Sequence, residues 1–157
     1  MSASQFLSSV LDRALVEVQH AQVPVFTFAL YHDHESGAVS VCVDTEEQSN
    51  RTVQGINRYN IKHFMKAVEN NDLKGASLWQ ANIGRSLSLG DFALVNAARA
   101  ELGDVKPDDQ FYLNMVQCLV ASHERVAALS PHPERVVFAC SGPKAEIAYV
   151  WALPPAA

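Results

Sequence analysis

Phe6, Leu7, Val10, Leu11, Ala14, Leu15 and Val18 recur at three- and four-residue intervals. That is the spacing of one helical face, and it predicts an amphipathic helix over residues 4–20 with Ser4 as its cap. Pro24 ends the helical pattern, and the period then falls to two. In VFTFALY, Phe26, Phe28 and Leu30 alternate with Val25, Thr27, Ala29 and Tyr31; in AVSVCVD, Val39, Val41 and Val43 alternate with Ser40, Cys42 and Asp44. Two alternating runs joined through a glycine predict an antiparallel hairpin over about residues 24–44. Its Val/Phe face is expected on the core and its Ser/Asp face partly wet.

The polar stretch TEEQSNRTVQGINRYN reads as a loop or a poorly formed helix start. YNIKHFMKAVEN places Ile61, Phe64, Met65 and Val68 on one stripe and predicts a short helix over about 60–70. GASLWQANIG is too short to distinguish strand from loop. Asp91 reads as the cap of a helix FALVNAARAEL, with Gly103 in the place of a C-terminal glycine. Pro107, Asp108 and Asp109 open what reads as the longest helix, DDQFYLNMVQCLVASHERVAAL, closed by SPHP. A second hairpin, about 135–153, is apolar on both faces, as in the middle of a covered sheet or at an edge buried by a helix. The order predicts a single α+β domain over 1–157, an antiparallel or mixed sheet built on two hairpins and packed against about four helices.

Composition narrows the functional classes. Hydrophobic residues make up 48% and charged ones 18%, which is globular and not disordered. Twelve basic residues against 17 acidic ones give a net charge of −5, and no basic run occurs. This disfavours nucleic acid and anionic membrane as partners. Cys42, Cys118 and Cys140 form no CxxC pair, so a buried, reduced state and a cytoplasmic setting are expected. The N-terminal stretch lacks a basic leader, and Asp12, Arg13 and Glu17 interrupt its apolar run, unlike a signal peptide or membrane span.

The densest chemistry is YHDHES, residues 31–36. His32 and His34, two apart on an extended strand, could chelate one metal beside Asp33 or Glu35. The same residues suit a hairpin turn for backbone reasons, and a metal would need a third ligand such as His63 or His123. The turn reading takes precedence, with a metal-binding protein or metal-dependent hydrolase as the alternative. No G-x-S-x-G elbow or phosphate-binding glycine loop is present. Arg85 with the expected helix after Asp91 could hold an anion, although Asp91 opposes that. Asp44, Thr45, Glu46 and Glu47 leave a strand as an acidic edge suited to a basic partner, and Trp79, with Gln80 and Asn82, is a separate candidate anchor.

The run Phe28–Tyr31, the acidic turn at Asp33 and the triplet Thr45–Glu47 resemble the first hairpin of a family of uncharacterised small bacterial domains. The similarity is looser beyond the hairpin, at the helix around Phe64 and at Trp79. That family has no settled activity. Proteins of this kind are found near toxin genes, where several small acidic families are immunity proteins. Acidic charge, single-domain size and the lack of catalytic signatures predict a non-enzymatic protein-binding domain with no cofactor, and the resemblance implies an immunity-type inhibitor. A homodimer through a sheet edge or the long helix is a further expectation.

Overall fold

The computed structural model describes residues 1–155. Helix α1 spans Ala3–His20 and buries Leu7, Val10, Leu11, Ala14, Leu15 and Val18, the stripe its sequence marks out. The cap is Ser2 rather than Ser4: its hydroxyl accepts from the Gln5 amide at 3.2 Å, and the Gln5 side chain accepts from the Ser2 amide at 3.0 Å. This reciprocal box satisfies two of the donors that a helix start leaves free.

Strands β1 (Thr27–Asp33) and β2 (Ala38–Asp44) form the first hairpin, with Thr27 opposite Asp44 and Asp33 opposite Ala38. Gly37 takes a positive φ of 65° in the connection, a conformation that glycine adopts without a Cβ penalty. All seven residues of β2 are buried, so the Ser40/Cys42/Asp44 face is covered and not wet. Leu89 and Phe92, from a segment crossing that face, pack on Ala29, Cys42 and Ala139. The opposite face carries the larger core. There Phe28, Leu30, Val39, Val41, Val43 and Phe138 meet α1 and the helix after Pro107. Each such fully buried side chain contributes roughly 1.5–3 kcal/mol relative to exposure.

The polar stretch after β2 is a helix. α2 runs from Glu46 to Glu69 and is the longest in the chain; the helix expected over 60–70 is its second half. Short helix α3 (Leu73–Ala76) and a 3₁₀ turn (Ser77–Trp79) follow. The segment FALVNAARAEL is a strand, β3 (Leu94–Glu101), not a helix capped by Asp91. Its alanines favour a helix locally, but pairing with β2 overrides that preference. The pairing shifts between Val41 and Val43, and Asn96 there takes a φ of 56°. Gly103, read as the glycine ending a helix, instead takes a positive φ in the turn after the strand.

The helix after Pro107 is two: α4 (Asp109–Ala121), capped by Asp108, and α5 (His123–Ala127), with a break at Ser122, whose hydroxyl bonds the Cys118 carbonyl. Strands β4 (Val137–Cys140) and β5 (Tyr149–Ala152) make the second hairpin. The sheet order is β3-β2-β1-β4-β5, antiparallel except for the parallel pair β1 and β4. β4 is covered on both faces. β5 lies on the sheet edge with Tyr149 and Val150 half-exposed, so the expectation of full burial holds for one strand of the two. The fold is α+β, five helices with one mixed five-stranded sheet. Among the described residues no helix is long and apolar enough to cross a membrane.

Candidate functional site

The YHDHES segment resolves into three different environments. His32, near the end of β1, is buried, and its Nδ1 lies 2.8 Å from the Tyr112 hydroxyl. His34, in the exposed turn, brings Nε2 within 3.3 Å of the same oxygen. A phenol has one proton, so Tyr112 donates to one imidazole and accepts from an N–H of the other. With both rings neutral, the two histidines therefore hold the same tautomer, protonated on Nε2 in both or on Nδ1 in both. Burial pushes the pKa of His32 below its ordinary value, and neighbouring His34 adds to the effect. Asp33 organises the turn: its carboxylate accepts from the Ser36 hydroxyl at 2.6 Å, from Arg99 at 3.0 Å and from the amides of Glu35 and Ser36. These bonds, the Ser36 hydroxyl foremost, hold Asp33 well below the usual carboxylate range.

The third group that reaches His32 and His34 is thus Tyr112, from the buried stripe of α4. His63 lies in α2 stacked on Trp79, and His123 accepts a 3.0 Å hydrogen bond from the Trp151 indole. Among the described residues no three His, Cys, Asp or Glu side chains converge as a metal would require. No sequence spacing links Tyr112 to the turn; the contact exists because α4 packs across the end of β1.

The acidic edge is also taken apart by the fold. Asp44 is fully buried, accepting from the Thr45 and Ala93 amides through Oδ1 at 3.0 and 3.1 Å. Its Oδ2 has no partner, and burial pushes its pKa up. Thr45 caps α2 through the Gln48 amide. Glu46 pairs with Arg135 at 2.6 Å, and Glu47 with Arg51 at 3.2 Å. Thr45, Glu46 and Glu47 line one side of a shallow cleft, with Pro131 and His132 opposite. Of the four, only Glu47 is an exposed carboxylate.

Two other candidates become structural. Arg85 lies 3.7 Å over the Phe26 ring and donates to the Phe26 and Arg135 carbonyls at 2.7 Å each. No α-helix begins at Asp91, so neither the cap expected there nor the anion site weighed against it is built. Cys140 is buried and its thiol is pushed up to about 12, far from the thiolate that nucleophilic chemistry needs.

The most exposed apolar surface lies elsewhere. α2 is anchored by its first turn, where Ser49 is its one buried residue and accepts from the Ser86 amide. Beyond that point its substantial packing partners are α3 and the 3₁₀ turn. Paired bonds between Asn57 and Asn82 tie the middle of the helix to the following segment. Trp79 stacks on His63 with ring centroids 4.3 Å apart and meets Tyr59 edge-on. Ile61, Met65 and Val68, at i, i+4 and i+7, form an uncovered stripe. Leu73 and Leu78 are 82% and 77% exposed, and Ile83 is fully exposed. Isolated exposed apolar residues are ordinary; here they gather on one helical arm and the segment that follows it. Ile61, Met65 and Val68 were legible in the sequence as one stripe of a helix, and the structure leaves that stripe exposed.

Comparison with protein-family models, with curated proteins and with solved structures yields no match.

Proposed function

We propose that the chain is a non-enzymatic protein-binding domain that engages its partner through the arm formed by α2, α3 and the Ser77–Trp79 turn. The observation that carries this reading is the long helix burying one serine while its apolar stripe faces outward. A 24-residue helix gains little stability from propensity alone and normally buries an apolar face. Trp79 remains a contact candidate, now with Tyr59 beside it, whereas Asp44, Thr45 and Glu46 support the scaffold. The finer reading, an immunity-type inhibitor acting in a bacterial cytoplasm, follows the resemblance of the first hairpin. Hydrogen bonding to Tyr112 accounts for both His32 and His34 and favours binding over the metal-dependent alternative.

The test is the double change Ile61→Asp and Met65→Asp. Both side chains are about half-exposed, so the melting temperature should stay within roughly 2 °C of the parent. Proteins that co-purify with the parent from its own cells should be lost. A variant that folds and keeps all of them removes the arm from the binding surface.

A further inference from the structure

The net charge of −5 suggests a basic partner, but charge is not spread evenly over the molecule. The arm, residues 46–79, carries five basic side chains against Glu46, Glu47, Glu69 and Asp72, a net of +1, with Glu46 and Glu47 both paired at its anchored end; the rest of the chain carries 7 against 13, a net of −6. Arg58, Lys62 and Lys66, at four-residue spacing, form the row directly beside the Ile61–Met65 stripe. All three are exposed, as is Lys74 on α3, and none makes an ion pair among the described residues. By contrast Arg51, Arg99, Arg125 and Arg135 are paired with carboxylates. The uncovered apolar stripe and a row of unpaired cations therefore share one arm.

We infer that the partner presents an acidic protein segment with apolar side chains to this arm. This rests on the protein-binding reading and sets the chemistry of the other side. Carboxylates on the partner would meet Arg58, Lys62 and Lys66 while its apolar residues cover Ile61, Met65 and Val68. Charge of this kind acts on encounter rate and on partner choice. Other occupants fit less well. Two arms meeting symmetrically would set the unpaired Arg58, Lys62 and Lys66 of one against those of the other, and like charges facing each other at an interface are costly. An anionic bilayer would attract the row of cations, but the body at −6 would be repelled from the same surface.

The experiment places a photo-reactive residue at position 61 of the full chain in the cells that express it, and identifies the cross-linked peptide by mass spectrometry. The expected peptide is foreign and net negative. With the protein bearing that peptide as the probe, the combined change Arg58→Glu, Lys62→Glu and Lys66→Glu should weaken binding roughly tenfold or more at about 50 mM salt, and the difference should shrink at about 500 mM. A neutral or basic peptide, or binding indifferent to charge reversal yet lost in Ile61→Asp plus Met65→Asp, overturns the acidic partner and leaves the arm as the site. A peptide from the chain itself, no protein adduct, or flotation with phosphatidylserine vesicles that Ile61→Asp abolishes, overturns the inference in favour of a second copy, no partner or a membrane surface.

Discussion

Asp44 shows how one residue can change meaning between sequence and fold. In the sequence it heads an acidic edge; in the structure it is a buried carboxylate with one oxygen satisfied by two amides and the other unpartnered. Burial raises its pKa, so the folded chain holds that proton more tightly than the unfolded chain does. Stability from this group is present at low pH and is lost as pH rises from the unfolded value, about 4, through the raised folded value. Asp44→Asn removes the charge and keeps the oxygen that accepts from Thr45 and Ala93. The variant should melt roughly 2–4 °C above the parent at about pH 7, with the gap closing toward pH 4. Thermal melts at the two pH values decide it: an equal gap at both, or a less stable variant at pH 7, refutes the account.

At the scale of elements, the helices and strands legible in the sequence are those whose own residues meet the core. The α1 stripe, the β1–β2 alternation and the β4 run bury most of the side chains that marked them, with Phe6, Phe26 and Val137 partly exposed. The elements misread are those whose state is set by something distant. β3 is alanine-rich, and only its ladder with β2 makes it a strand. α2 lacks a core-facing stripe along its first half, so periodicity had nothing to report. A signal was present nonetheless: Thr45 followed by Gln48 matches a helix-start pattern, and Glu46 and Glu47 suit the positive end of a helix. The same weak anchoring makes the arm dynamic on a testable scale. Amides from Gly55 to Glu69 should exchange with solvent faster than those of α1, because little buried surface opposes local opening. Gly55 is exposed inside the helix, and a Cβ there would meet nothing within 4 Å. Gly55→Ala should therefore stabilise the arm by up to about 1 kcal/mol and slow its exchange roughly fivefold. Hydrogen–deuterium exchange read by mass spectrometry would show unchanged rates if the arm were held by the body.

For the molecule as a whole, two histidines, His32 buried and His123 half-buried, join the helical layer to the sheet at separate places. His32 on β1 meets Tyr112 and Phe111 of α4. His123 at the start of α5 accepts from Trp151 of β5 and packs on Phe138 of β4. Burial lowers both pKa values, so in each case the fold disfavours the charged ring. The sign is opposite to that at Asp44. Stability from these groups is complete above the unfolded value, about 6.5, and is lost as pH falls below it, because the unfolded chain takes up protons that the folded chain refuses. Acidification thus acts on the contacts that hold the two layers together, while the arm, which contacts neither histidine, is affected only through the body. Denaturant unfolding between about pH 7.5 and 5.5 should show a falling free energy. His123→Gln, whose side-chain oxygen can still accept from Trp151, should flatten that slope by its own share. A parent protein with stability constant across this range would mean that neither histidine is held neutral by the fold.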